Sequence, residues 1–416
     1  MTGSAITVDT GRVVASLKTL AGFGANGRGV CRPALSVDDM AARRWLAGQM
    51  TDAGLDVVID AVGNVYGSTP GVARSVLIGS HSDSVPTGGW LDGALGVIYG
   101  IETARAWRAA HPDSPIGIDV VSFSDEEGRY LSCLGSRAFC GVLDDEALAA
   151  SLVDGRSFFD VAREAGLDGL PRARLDRARH LAYFEAHIEQ GPKLDGLGLD
   201  IGVVTGIAGM KRMQVRFDGR ADHAGTTPMA MRRDAGMAAF DFAVQCEAQL
   251  RSVAAADSVW NFGAISFFPG VANVVPKLAE LTVELRDLSA DVMSAMMESV
   301  LMLARRLDGH RGVGVSAHVT GSLAPANMDG GLQQALSEQA ELIGAATMAL
   351  PSGAIHDAML LAREIPSAML FVPSIDGRSH TPVEDTSVRH IATGAMVFAR
   401  AVEASALRLA AGATSV

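Results

Sequence analysis

The chain has 416 residues, 48% of them hydrophobic and 5% aromatic, with a formal net charge of −12. That length suits two domains, and the composition is that of a packed globular protein, not a disordered one. The acidic balance argues against nucleic acid or an anionic membrane as partner, since both select clustered Lys and Arg.

The amino terminus, MTGSAITVDT, lacks the basic and apolar regions of a secretion signal. No apolar run is long and uncharged enough to span a bilayer, so a cytoplasmic protein is expected. An amphipathic helical pattern opens the chain and leads into GRGVCRPALS. Ser36 reads as an N-cap with Asp39 three residues on, which predicts a helix over 37–53 that Gly54 stops. The alternation of Leu55 to Asp60 predicts a strand. Strands near 76–79 and 117–124, with a helix near 94–110 between them, give a β-α-β rhythm and a parallel core.

His81 follows the apolar run Ser75 to Ile78, at a strand's carboxyl end, where open α/β sheets bind ligands. Gly88, Gly89 and Gly93 let the chain turn back and bring Asp92 towards His81 as a metal-ligand pair. Asp83 lies two residues on and is expected to accept a hydrogen bond from the His81 ring, fixing its tautomer. Next comes SDEEGRY, 124–130. Adjacent carboxylates are common in solvated loops; beside a metal site, one can bind metal while its neighbour acts as general base. His187, in EAHIEQGP, follows the strand-like Ala182 to Phe184; taken alone, such a histidine is more often structural. The four cysteines, Cys31, Cys133, Cys140 and Cys246, form no C-x-x-C pair and are expected to be reduced thiols.

Texture changes after about residue 205. Met213, Val215 and Phe217 alternate with polar residues, the signature of a strand with one solvated face. A helix over 234–252, strands near 259–268 and 278–287, and a helix near 290–307 complete the order of a small α+β domain with one antiparallel sheet. From Asn327 helices again alternate with a strand, Ala368 to Val372, and SHTPVED follows with His380. The simplest reading is a catalytic domain over 1–210 and 327–416, interrupted by an inserted domain over 211–326. His81, Asp92, Glu127, His187 and His380 would then converge from four strand ends. Such nitrogen and oxygen ligands suit zinc, manganese, cobalt or nickel, and two metals sharing one carboxylate is the economical arrangement for five ligands.

In this order GSHSDSVPTGGWLDG, DEEG, HIEQGP, DHAGTTPM, NVVP and SGAIHDA resemble the motifs of the M20 metallopeptidase-like superfamily, in its hydantoinase/carbamoylase amidase branch. The match runs from GVCR at 29–32 to SHTPVED at 379–385. The resemblance implies a phosphorylase/hydrolase-like α/β catalytic domain with a mixed, mainly parallel sheet. It also implies an inserted ferredoxin-like α+β domain that serves as lid and dimerisation surface. Asp92 is matched to a bridge between two divalent ions per subunit, with His81 and His187 on one and Glu127 and His380 on the other. Glu126 is matched to the general base, with Asp83 beside His81 as part of the catalytic apparatus. His223 looks like the family histidine that stabilises the tetrahedral oxyanion; a bland alternative makes it a cap for the turn before Pro228. Arg286 with Asn273 resembles a clamp for the substrate carboxylate, although Arg286 could simply pair with Glu284. Gln190 matches a polar substrate position, and Gly353 with Ala354 a backbone contact near that carboxylate. Ile355 stands where the family has a small residue, which puts this loop and the role of His356 in question.

What the resemblance implies is a homodimer that hydrolyses an N-carbamoyl L-amino acid, a small ureido acid, to the amino acid, carbon dioxide and ammonia. Allantoate amidohydrolase and β-ureidopropionase activities are near alternatives. M20-type aminoacyl or dipeptide hydrolysis, and a non-catalytic metal-binding protein, are more distant ones.

Overall fold

The apolar runs around Val76, Ile118, Phe184 and Leu370 become four adjacent parallel strands in a computed structural model that describes residues 5–413. In space they are ordered Ser367–Val372, His180–Ile188, Arg74–His81 and Ile116–Phe123. Antiparallel strands extend the sheet on both sides. Val65–Ser68 and Asp56–Ile59 lie beyond Ile116–Phe123, and Ile201–Ile207, which also pairs Thr347–Ser352, lies beyond Ser367–Val372. The sheet is therefore mixed, with a parallel centre. Its four parallel strands end on one edge, and that edge carries the candidate ligands.

Both faces of the centre are covered. Val76, Ile78, Ile118, Val120, Ala182 and Phe184 join one apolar cluster with Ile98 and Ile101 of helix Ala94–Ala110 and with Phe398 and Val402 of helix Val388–Ala413. Leu77, Val121 and Tyr183 point to the other face by strand period and are equally buried. Strands buried on both faces read as continuous apolar runs, which is why they show in the sequence without alternation.

The chain divides into two compact units, one running to Thr205 and resuming at Met328, the other spanning Gly206–Asn327. The second unit has four antiparallel strands in the order Val259–Phe268, Leu278–Asp287, Gly209–Asp218, Gly314–Leu323. With helices Ala235–Val253 and Ala290–Leu307 this is the β-α-β-β-α-β order of a ferredoxin-like domain. Met213, Val215, Phe217, Leu281 and Val283 pack on Phe242, Leu250, Met296 and Val300 of those helices. On the other face of this sheet, cross-strand pairs replace apolar packing: Arg212 Nη2 lies 2.6 Å from Glu284, and Arg216 Nη1 3.2 Å from Glu280. No helix among the described residues is long and apolar enough to cross a membrane. All four cysteines are free.

Asp119, inside the parallel centre, shows how a carboxylate survives burial. It takes bonds from Arg179 Nε at 2.7 Å, Ser75 Oγ at 2.8 Å, the Thr69 amide at 2.8 Å and Tyr66 Oη at 2.9 Å. Burial pushes its carboxyl up, but the His180 and Arg179 side chains and the Thr69 amide outweigh it and hold the group below the usual carboxylate range. Asp119→Asn is expected to cost about 2–3 kcal/mol at pH 7, less than a fully buried pair because Arg179 keeps some exposure. A depressed folded pKa stabilises above the unfolded value of about 3.9, and the contribution fades as pH falls through the folded value. Urea melts at pH 7 and pH 3 should show the gap between variant and parent shrinking in acid; a constant gap would remove the charge from the explanation.

Candidate metal centre

His81 is the last residue of its strand, and Gly93 immediately precedes helix Ala94–Ala110. Gly93 has φ +63°, and a Cβ there would lie 2.4 Å from the His81 ring. Glycine is thus required twice over, and its absence of a side chain lets Asp92 reach the ring: Asp92 Oδ1 sits 3.6 Å from His81 Nε2 and 3.1 Å from His187 Nε2. The other oxygen, Oδ2, lies 3.2 Å from His380 Nε2, which in turn stands 3.6 Å from Glu127 Oε1. His81, Asp92 and His187 form one group, and Asp92, Glu127 and His380 a second, with ligand atoms in each within 4.8 Å of one another. Asp92 offers one oxygen to each group.

The residues fit a divalent cation by their chemistry. Glu127 Oε1 is buried without a hydrogen-bond partner, an expense that a cation among these imidazole nitrogens would remove. Burial and the Asp92 carboxylate raise Glu127 to about 7, and the bond to Asp92 raises His380 to about 9. Gln190 and His380 hold left-handed backbones, φ +56° and +54°, a strain that tends to gather at functional sites.

The layer behind the ligands corrects one expectation. His81 Nδ1 bonds the main-chain carbonyl of Asp83 at 3.1 Å, while the Asp83 carboxylate is 3.9 Å away. Side chains two residues apart share a direction only while the chain is extended, and this strand ends at His81. The carboxylate instead receives the amides of Glu126 and Glu127 at 3.4 and 3.3 Å, and stands 3.6 Å from the buried Arg43. His187 Nδ1 likewise bonds the Ile188 carbonyl at 2.9 Å. With both Nδ1–H groups on carbonyls, each ring's Nε2 carries the lone pair a metal needs.

Sequence reasoning missed Glu384. It accepts the amides of Leu91 and Asp92 at 3.0 and 3.1 Å and the Ser379 hydroxyl at 3.1 Å, and Ser379 Oγ reaches Asp92 Oδ2 at 3.1 Å. A Cβ at Gly89 would collide with it at 2.1 Å, so the second glycine of the loop makes room for this brace. The only signal was an acid inside SHTPVED, four residues after His380, and a solvated loop acid looks the same. Gln190, matched to a substrate position, donates from Nε2 to Asp92 Oδ2 at 2.9 Å.

Glu126 is 8% exposed, with Oε2 3.7 Å from His81 Nε2 and Oε1 3.8 Å from the Cys133 thiol. Burial raises it well above the usual carboxylate range; the His81 ring opposes that, and Asp357, Glu127 and Asp92 add to it. Burial and Glu126 push the Cys133 thiol up, and burial pushes Cys140 to about 12, so neither is a thiolate at neutral pH. His356 packs edge-on against His187 with ring centroids 4.5 Å apart, and its Nε2 lies 2.9 Å from Ser352 Oγ. Burial and His187 lower its pKa, so a neutral imidazole backs the candidate ligand His187. Ser352 Oγ also takes the Ala354 amide at 3.2 Å, which ties down the loop that carries Gly353 and the half-buried Ile355.

In the second unit His223 is exposed, and its Nδ1 accepts the amides of Gly225 and Thr226 at 3.0 and 3.2 Å. The turn-capping role is real, and it leaves the ring proton on Nε2. Asn273 lies on the facing chain, where its carbonyl takes the Ala224 amide at 3.0 Å. Arg286 binds Glu284 Oε1 through Nε at 2.9 Å and Nη2 at 2.8 Å, so the ion-pair reading of this arginine is realised.

The family model for peptidase family M20/M25/M40 matches residues 77–404. An N-carbamoyl-L-amino acid amidohydrolase of Geobacillus stearothermophilus is 37% identical, over 89% of this chain and 92% of its own. A ureidoglycolate hydrolase of Arabidopsis thaliana is 33% identical, over 95% and 86% respectively. A crystal structure of an amidase of the hydantoinase/carbamoylase family from Burkholderia phymatum has a TM-score of 0.91 at 45% identity, covering 98% of this chain and 99% of that one.

Proposed function

The chain belongs to peptidase family M20/M25/M40, and on that premise we propose that it is a two-metal amidohydrolase that removes the carbamoyl group of N-carbamoyl L-amino acids. The observation that carries this reading is Asp92, whose two oxygens face separate ligand groups beside the buried Glu126. Two divalent cations held by His81, Asp92 and His187 and by Asp92, Glu127 and His380 would lower the pKa of a shared water and polarise the scissile carbonyl.

The chain's own residues do the rest. Glu126 takes the water proton and delivers it to the leaving nitrogen, a task its burial and raised proton affinity suit. Asp83 fixes the backbone of Glu126 and Glu127, and the Asp83 and Ile188 carbonyls fix the two rings. Glu384, Ser379 and Gln190 hold Asp92. Substrate contacts are assigned on motif position: the His223 Nε2–H to the oxyanion, Arg286 with Asn273 to the carboxylate, and Gln190, Gly353 and Ala354 to the remaining polar atoms. Arginine's planar fork suits a carboxylate, and Arg286 would exchange Glu284 for the substrate.

A homodimer through the inserted unit belongs to this reading. Its outer strand exposes Val259, Ile265 and Phe268, and its helix Ala235–Val253 exposes Phe240 and Val244. An apolar edge strand invites pairing with another copy. The four free thiols suit a reducing cytoplasm.

The test is a metal-reconstituted panel of N-carbamoyl L- and D-amino acids, N-carbamoyl-β-alanine, allantoate, ureidoglycolate and dipeptides, read by mass spectrometry. Turnover confined to N-carbamoyl L-amino acids is the expected result. Ureidoglycolate or allantoate alone would keep the site and move the substrate. Dipeptide turnover alone would overturn the carbamoyl assignment.

A further inference from the structure

We propose that a cavity of about 400 Å³, whose lining includes none of the metal-centre residues, is a second ligand site for a small carboxylate with an apolar body. Its volume lies in the range of small-molecule pockets. Its lining combines two chemistries. Leu35, Met40, Val153 and Val161 supply apolar surface. Arg44, Arg129 and Arg156 supply three guanidinium groups, against the carboxylates of Asp154 and Glu164.

Those charges do not cancel evenly. Arg156 is paired with Glu164 at 2.5 Å, whereas Arg129 bonds the Ala34 carbonyl at 2.6 Å and lies over the Tyr130 ring, 5.3 Å from its centroid, and neither Arg129 nor Arg44 has an ion-pair partner among the described residues. Two guanidinium groups are thus left to recognise an anion, and arginine binds a carboxylate through two parallel bonds. The Tyr130 hydroxyl, in the same wall, is buried without a hydrogen-bond partner and can donate to that anion. Ser36 caps the sixteen-residue helix Val37–Asp52 at the cavity, so the positive end of its dipole adds to the preference for negative charge. Four aliphatic side chains beside these donors select an apolar body over a second charge.

Occupation would be felt at the catalytic loop. The Asp125 carboxylate takes the Arg129 and Tyr130 amides at 2.6 and 2.8 Å, and Asp125 adjoins Glu126. By a second route, Asp39 takes the Leu35 amide at 2.8 Å and the Arg43 Nε at 2.7 Å, and Arg43 stands beside the Asp83 that holds Glu126 and Glu127. Both routes therefore lead by short polar contacts from the lining to the loop proposed to carry the base and a metal ligand.

Hydrogen exchange on the metal-loaded full-length protein tests this without needing turnover, with hexanoate as probe and hexanol as its uncharged control. Hexanoate should slow exchange about threefold or more across 35–44, 125–131 and 152–165, and hexanol should not. Arg44→Glu, which reverses a lining charge, and Val161→Trp, which fills the space, should each abolish the effect at 35–44 and 152–165 while keeping the parent's Tm. Protection at those segments that persists in both variants, or equal protection by hexanol, or none in the parent at saturating hexanoate, would overturn the site.

Discussion

Glu126→Gln should lose about 10³–10⁴-fold in turnover while its metal content stays close to the parent's, the size of effect that a positioned general base supplies. Glutamine keeps the shape of the side chain and its neighbours, the His81 ring and the Cys133 thiol, but cannot accept and return a proton. The separation of activity from metal content is what identifies the role. Glu127, the next residue, belongs to a ligand group and carries an unpartnered buried oxygen. Glu126 stands outside both groups, and burial with three neighbouring carboxylates keeps its proton affinity high. Cations in the adjacent groups would draw that affinity down towards neutrality, where a shuttle works best. Metal analysis after dialysis, beside steady-state rates, decides the point. If ions and rate fell together, Glu126 would be a ligand and the base would have to be sought elsewhere.

The central sheet was legible because its strands are buried on both faces. Val76 to Ile78 and Ala368 to Val372 show as unbroken apolar runs, and the histidines that follow them inherit a position from the sheet. The inserted unit was legible for the opposite reason: Met213, Val215 and Phe217 alternate with Arg212, Gln214 and Arg216, as one buried and one solvated face require. The short pieces between were not read. Helices Asp145–Ala150 and Phe158–Glu164 are too short to display a period, and the two-residue strands Leu152–Val153 and Arg156–Ser157 carry no pattern at all. At the candidate site, the residues that the fold gathers into two groups stood out by type and spacing, whereas their supports did not. Arg43 and Asp39 form a wholly buried pair on one helix, and in sequence they look like any solvated i,i+4 pair. Asp83 was found, but its partner was misplaced, because the end of a strand reorients a side chain by an amount that no spacing rule contains.

The sharing of Asp92 makes a prediction that the other ligands do not. Asp92→Asn should strip about two ions per subunit and reduce activity by more than about 10³-fold, whereas His380→Ala should release about one and leave the His81 and His187 group loaded. The argument rests on the two carboxylate oxygens. Oδ1 stands against His187 and His81, and Oδ2 against His380, so each group owns one atom of the same charge. An amide offers a single, neutral oxygen; one group loses its carboxylate atom, and both lose the negative charge that would offset repulsion between two bound cations. The fold should survive the change. Glu384 bonds the main-chain amides of Leu91 and Asp92, and Gly93 makes room for the His81 ring, whichever side chain stands at 92. Plasma mass spectrometry of dialysed protein, with a thermal melt as control, gives the comparison. Both ions retained by Asp92→Asn at parental stability would mean that neither group depends on the shared carboxylate, and the shared-water mechanism would fail with it.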